Sequence, residues 1–203
     1  MLADPSLVGV LERARTLGFL GPGPVEGHIE HAGAFVAAIA ERGGLVVDLG
    51  AGGGVPGLVV ALARSDLQVQ LVDSVAKRCR FLEDAVVALD LGERVRVVES
   101  RAEDLGRGQQ RGTVDVVLAR SFGPPAATAE CAAPLLVVGG WLVVSEPPSD
   151  RGARWRERPL AQLGLRPRHG TLTGPRLQVL EQVAPCPDRF PRRVGVPAKR
   201  PLF

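Results

Sequence analysis

The run Val47-Asp48-Leu49-Gly50-Ala51-Gly52-Gly53-Gly54-Val55-Pro56-Gly57 constrains the fold more than any other stretch of this chain. An apolar β-type segment, Leu45 to Leu49, leads through glycines directly into a helical pattern from Pro56 to Arg64. A strand that turns through glycines into a helix is the opening unit of a doubly wound α/β sheet. The glycines mark the place where backbone can come close to a ligand at the carboxyl end of that strand.

The surrounding pattern supports such a sheet. Strands are predicted at 45–49, 69–72, 95–98, 114–119 and 140–144, alternating with helices at 56–64, 74–88 and 126–136. Asp4 followed by Pro5 predicts the start of an N-terminal helix. A second helix is predicted over 25–41, ending at Gly43-Gly44. Toward the C-terminus, a helix is predicted near 151–163 and an antiparallel strand pair near 170–173 and 177–183, the arrangement of the methyltransferase variant of the doubly wound sheet. The domain reading is therefore 1–43 as an N-terminal helical segment, 44–184 as a mostly parallel α/β domain, and 185–203 as a tail. Pro187, Pro191, Pro197 and Pro201 predict that this tail is extended.

Two ligand classes compete for the glycine loop. A dinucleotide fingerprint needs a sixth-position glycine, where this chain has Val55. An acid-x-Gly-x-Gly loop for S-adenosylmethionine fits Asp48, Gly50 and Gly52, with Asp48 holding the ammonium. Asp73 closes the second predicted strand and, with Ser74 beside it, is placed to receive ribose hydroxyls. The alternative for Asp73 is a helix cap. Arg101-Ala102-Glu103-Asp104 follows the third strand, where a loop can line an adenine. Arg120 closes the fourth strand, where a cation can order a cofactor carboxylate or a substrate phosphate. Lys77 and Arg78 open a helix, an unfavourable place for cations unless an anion is near.

Charge adds a partner class. Residues 1–149 hold 13 Lys+Arg against 18 Asp+Glu, and residues 150–203 hold 12 against 4. A basic third on an acidic body points to a polyanion such as RNA, or to a solvated arginine-rich surface. Cys79, Cys131 and Cys186 contain no Cys-x-x-Cys pair, which excludes a zinc ribbon and a disulfide framework. Cys79 and Cys131 are expected in the core. The longest apolar run, 131–144, carries Pro134, Gly139 and Gly140 and is too short for a membrane span. With no basic, apolar leader at the N-terminus, the expectation is a cytoplasmic protein with no membrane contact and no obligate protein partner. His28 and His31 lie three apart on one helix. They are a base for an oxygen nucleophile, a metal pair lacking further ligands, or a surface pair, and no metal is expected.

Several strings together resemble one family, the bacterial small-subunit ribosomal RNA guanine-N7 methyltransferases, also called glucose-inhibited division protein B. The loop 48–57 resembles D-x-G-S/T-G-x-G-x-P-G. Asp73-Ser74-Val75-Ala76-Lys77-Arg78-Cys79-Arg80-Phe81-Leu82 resembles D-S-x-x-K-R/K-x-x-F-L. Arg101 to Asp104 resembles R-x-E-E/D, and Ala119-Arg120-Ser121-Phe122 resembles S/A-R-A-F/V. Phe190-Pro191-Arg192-Arg193 with Gly195, Pro197, Lys199 and Pro201-Leu202 is similar to the Y-P-R-R/K-x-G-x-P-x-K-x-P-L ending. The resemblance implies a class I S-adenosylmethionine-dependent methyltransferase fold and transfer to guanine N7 of ribosomal RNA. It implies cofactor contacts at Gly50, Val55, Ala102, Glu103 and Arg120, with Asp73 on the ribose. Arg120 and His28 are the candidate catalytic residues. Glu146, Arg192, Arg193, Lys199 and Arg200 are the candidate substrate residues.

The chain also departs from the family pattern. The N-terminal W-N-x-x-x-N-L-T string has no counterpart around Leu17 to Pro22. In His28-Ile29-Glu30-His31-Ala32, His31 stands where the family string H-I-L-D-S has Asp. Glu146 stands where L-K-G has Lys. These departures keep two alternatives open, a small-molecule methyltransferase on the same scaffold and a cofactor-binding protein without catalysis.

Overall fold

Short runs of Val and Leu that are apolar on both faces can be stable only inside a sheet covered on both sides. The computed structural model, which describes residues 4–147, 154–168 and 177–203, forms that sheet. Its strands are β1 (Leu45–Leu49), β2 (Gln68–Asp73), β3 (Val95–Glu99), β4 (Val114–Ala119), β5 (Leu136–Ser145), β6 (Leu165–Pro167) and β7 (Leu177–Gln182). Their order across the sheet is β3-β2-β1-β4-β5-β7-β6. The first five are parallel, while β7 runs antiparallel to both β5 and β6.

Side chains alternate between the two faces as the strand period requires. Val46, Leu71, Val116 and Leu118 join one core, and Val47, Val72, Val117 and Ala119 join the other. The first core is covered by α1 (Pro5–Thr16), α2 (Val25–Ala38), α3 (Gly57–Ala63) and α4 (Ala76–Ala88). The second is covered by α5 (Ala102–Leu105), α6 (Pro125–Ala132), a 3₁₀ turn at Ala133–Leu135, α7 (Glu157–Ala161) and the chain end with α8 (Val196–Lys199). Leu7, Leu11, Ile29 and Phe35 from 1–43 are buried in the same core as α3 and α4, so the N-terminal helices are part of one layer of this sheet.

Local chemistry sets the element ends. Asp4 Oδ1 accepts the Ser6 N–H at 2.9 Å, capping α1 with Pro5 in its first turn. The second helix stops at Ala38, short of the expected Glu41. Its end is closed by Arg64, which donates to the carbonyls of Ile39 at 2.9 Å and Arg42 at 2.6 Å. The helix expected from Ser74 starts at Ala76, because the Asp73 carboxylate first takes the Val75 N–H at 3.0 Å.

The C-terminal third departs from expectation where it is described. Of the helix expected over 151–163, the described residues are helical only at Glu157–Ala161. The strand expected at 170–173 lies outside the described residues; among those described, β7 pairs with the three-residue β6. The tail is also not simply extended. Phe190 and Pro191 are buried, Gly195 turns at φ +78°, and α8 follows. Arg111 holds the segment by donating to the carbonyls of Phe190 and Cys186, each at 2.7 Å, and Arg107 donates to that of Pro191 at 3.0 Å. Among the described residues no helix is long and apolar enough to cross a membrane.

Candidate functional site

The carboxyl ends of β1, β2, β3 and β4 open onto one cleft of about 340 Å³, within the size range of small-molecule sites. Its floor is Gly50 and Val72, its acidic edge Asp73 and Glu103, and its roof Phe122 and Pro197. Gly50 sits at φ +71°, and a Cβ there would lie 2.9 Å from Phe122 Cδ2, so a side chain would both strain the turn and enter the cleft.

Asp73 is the pivot of this cleft. It is buried, and its two oxygens accept N–H bonds from Gly52 and Val75, each at 3.0 Å. A carboxylate offers about four lone-pair positions, so two remain for hydroxyl donors. Arg78 stands 3.6 Å from the same carboxylate. Asp73 is therefore the anion that makes this cation acceptable in the first turn of α4. Lys77 lies over the Phe19 ring, 5.6 Å from its centroid.

Eight of the nine expected cofactor residues divide into two sets, and Arg120 lines a neighbouring pocket with His28 instead of the cleft. Gly50, Asp73, Ser74, Ala102 and Glu103 line the cleft together. Asp48, Gly52 and Val55 lie beneath it. Val55 packs in the core with α3, and Gly52 spends its N–H on Asp73. Asp48, expected at the cofactor ammonium, has a structural contact of its own. It is buried, and its Oδ2 accepts the Gly57 N–H at 2.8 Å at the start of α3, so it braces the loop from below. Burial pushes its carboxyl up to about 7, against the opposing pull of the Gly57 N–H and of Arg120.

Arg120 and His28 meet although 92 positions separate them. His28 Nε2 lies 3.1 Å from the Gly21 carbonyl, which makes Nε2 the donor and leaves Nδ1 to accept from Arg120 Nη2. Burial and the Arg120 charge both hold the His28 pKa below its ordinary 6.5. Its one basic lone pair is thus already engaged in this arrangement. Burial also lowers the Arg120 pKa, while Asp48 raises it.

The substrate-side candidates are reassigned in part. Arg192 donates to the fully buried Glu130, with Nη2 at 2.6 Å and Nε at 2.8 Å, so this half-buried arginine fastens the tail. Glu146 is likewise committed. Its Oε1 accepts the Trp155 indole N–H at 2.9 Å, and Arg154 lies 3.6 Å from Oε2. Arg193, Lys199 and Arg200 are exposed, on the segment whose Gly195, Pro197 and Ala198 line the cleft.

Sequence reasoning missed the tail as a wall of the cleft. The Gly195 N–H donates to Glu103 Oε1 at 2.9 Å, tying the tail to the residue expected beside an adenine. It also missed Glu130, for which a signal existed: a lone acid in the alanine-rich helix Pro125–Ala132. Cys79 and Cys131 are buried as expected, and Cys131 also touches the cleft. Among the described residues no group of three or more His, Cys, Asp or Glu side chains could hold a metal ion.

The sheet order, the antiparallel seventh strand and a nucleoside-sized cleft over the first four strand ends define the class I S-adenosylmethionine-dependent methyltransferase fold. A methyltransferase from Geobacter sulfurreducens shares it with a TM-score of 0.63 at 17% identity, over 90% of each chain. The family model for rRNA small subunit methyltransferase G, GidB, matches residues 26–147. Ribosomal RNA small subunit methyltransferase G of Thermotoga petrophila is 37% identical over 170 residues, covering 80% of this chain and 74% of that protein. The protein of the same name from Salinispora tropica is 49% identical over 113 residues, 53% of this chain and 47% of that one. The chain thus spans about half the length of the Salinispora relative it matches. The chain belongs to the GidB family.

Proposed function

We propose that this chain binds S-adenosylmethionine in the cleft over Gly50 and transfers its methyl group to guanine N7 of small-subunit ribosomal RNA. The observation that carries the reading is the joint placement of Gly50, Asp73, Ala102 and Glu103 around one cleft. That donor set suits an adenosine: free carboxylate lone pairs for ribose hydroxyls, flat apolar contacts for a base, and a glycine floor for the thioether side. Family membership and the basic exposed tail support ribosomal RNA as the acceptor.

When bound, S-adenosylmethionine supplies a methyl group on a sulfonium, which passes to the acceptor as the C–S bond breaks. Guanine N7 attacks with a free lone pair and loses no proton, so the chain need supply no general base. This agrees with His28 having both ring nitrogens engaged. Asp73 would fix the ribose, and Ala102 and Pro197 would flank the adenine. Phe122 would cover Gly50 and keep water from the reacting end. In well-oriented cases such positioning is worth about 7–11 kcal/mol of the barrier. Arg193, Lys199 and Arg200 would meet RNA phosphates at the cleft edge, a contact that weakens as salt rises. An acceptor of that kind implies work in the cytoplasm.

The test is transfer of a radiolabelled methyl group into free ribosomal RNA, assembled small subunits and a small-metabolite extract in parallel. The expected result is label in small-subunit RNA, recovered as 7-methylguanosine after digestion. Label confined to metabolites, or cofactor binding with no labelled product in any fraction, would overturn the reading.

A further inference from the structure

A one-turn helix beside a ligand cleft must be held from outside, because an isolated turn has no stability of its own in water. The turn α8 and the Gly195 before it supply Gly195, Pro197 and Ala198 to the wall of the cofactor cleft. Their place is set by one side chain. Arg192 Nη2 carries two N–H groups, one donating to Glu130 Oε2 at 2.6 Å and the other to the Arg200 carbonyl at 2.7 Å, eight positions along. Nε and the backbone N–H of Arg192 both donate to Glu130 Oε1 at 2.8 Å. Residues 192–200 are thereby closed into a loop on a buried acid of α6, with the cleft wall at the far side of the loop. There the Gly195 N–H meets Glu103 Oε1 at 2.9 Å, so the wall and the acid of the cleft edge are set as one unit.

Attachment of the tail does not account for this arrangement. Burial of Phe190 and Pro191, with the bonds from Arg107 and Arg111, already fastens the chain at or before residue 191. Taking the Glu130 carboxylate wholly out of water is expensive, and a buried ion pair adds little net stability over apolar residues of the same volume. What the pair supplies is direction. Donors from Nε and Nη2 fix the plane of the guanidinium on the carboxylate, and that plane aims the remaining Nη2 N–H at the Arg200 carbonyl.

We propose that Arg192 and Glu130 are positioning residues of the cofactor site, which close the 192–200 loop and so set Gly195, Pro197 and Ala198 against the adenosine side of the ligand. The proposal rests on the S-adenosylmethionine reading of the cleft for the identity of that ligand. Neither residue lines the cleft, and both act through the loop. An open loop offers adenosine an incomplete wall, so the apparent dissociation constant rises as the closed fraction falls. The loss is then as large for 5′-methylthioadenosine, which keeps the adenosine and lacks the amino-acid end, as for S-adenosylhomocysteine.

The experiment is calorimetric titration of the full chain with these two ligands, for the parent, for Glu130→Gln combined with Arg192→Ala, and for Arg107→Ala. The double variant leaves no unpaired buried charge but frees the Arg200 carbonyl, and should weaken both ligands by the same factor, about tenfold or more. Arg107→Ala releases only the Pro191 carbonyl, outside the loop, and should stay within about threefold of the parent even where it melts lower. Hydrogen exchange of the parent adds a readout that a merely structural tail would not move. S-adenosylhomocysteine should slow exchange in peptides spanning 192–200. Exchange there that ignores the bound ligand would overturn the proposal, and it decides the matter alone if the double variant does not fold. So would a folded double variant that binds like the parent, or equal losses in it and in Arg107→Ala, which would make the effect a general loosening of the tail. If neither ligand binds a parent that melts normally, the cofactor reading itself fails and the proposal falls with it.

Discussion

Asp48→Asn is expected to stabilise this protein progressively as pH rises from about 4 to 7, and to change little only below that window. Asp48 has no exposure to speak of, and its Oδ2 accepts the Gly57 N–H at 2.8 Å. Burial raises its pKa from 3.8 to about 7. A carboxyl whose folded pKa is raised binds a proton more tightly folded than unfolded. Its contribution to stability is therefore complete below pH 3.8 and is lost as pH climbs to about 7. A rise of that size at 1.36 kcal/mol per pH unit amounts to ~4 kcal/mol between the two ends of the window. Asparagine keeps an oxygen for the Gly57 N–H and never ionises, so it mimics the protonated acid at every pH. The assay is urea unfolding of both proteins at pH 5, 6, 7 and 8, with equal denaturant slopes as the check on two-state behaviour. The gap in unfolding free energy should widen from about 1.7 kcal/mol at pH 5 to ~4 kcal/mol at pH 7 and then level off, in favour of Asp48→Asn. A gap that is flat with pH, or a variant less stable than the parent at pH 8, would refute the account of a carboxylate strained by burial. It would also reopen Asp48 as a solvated contact for the cofactor ammonium.

Arg192→Ala should lower the melting temperature by roughly 6–20 °C, because stranding the fully buried Glu130 without its partner costs about 3–5 kcal/mol in a chain of this size. Glu130→Gln with Arg192→Ala should recover part of that loss in the same melt. Gly50→Ala should leave a folded protein whose S-adenosylmethionine affinity in calorimetry falls at least about tenfold, since the new Cβ meets Phe122 at 2.9 Å on a backbone at φ +71°. Adding Phe122→Ala should recover only the contact part. Charge reversal at Arg193, Lys199 and Arg200 should weaken RNA capture and flatten its salt dependence, leaving cofactor affinity in place.

What the sequence made legible was short-range. Strands β1 and β4 fall where they were expected, over Leu45–Leu49 and Val114–Ala119, because each is a buried β-branched run closed by turn chemistry. The Gly50 turn and Asp73 were also readable, since both follow from what a strand end must do before a helix. Strand β6 was not readable, because three residues ending in Pro167 pair only by virtue of β7 beside them. The tail was misread for the same physical reason. Proline forbids a ladder or a long helix, but it leaves carbonyls free, and those of Cys186, Phe190 and Pro191 are taken by Arg107 and Arg111, some eighty positions earlier.

The arginines teach the same point in functional terms. Composition counts Arg192 and Arg193 alike, yet one is consumed by Glu130 and the other is exposed. Glu146, a candidate substrate residue by sequence, accepts the Trp155 indole N–H and lies beside Arg154 in the fold. A local string says which residues can carry a charge, but the unpaired donor is a property of the packed chain. Arg120 shows this most clearly. One of its nitrogens is held by His28 and the other is left without an acceptor, and no segment of sequence contains both halves of that fact.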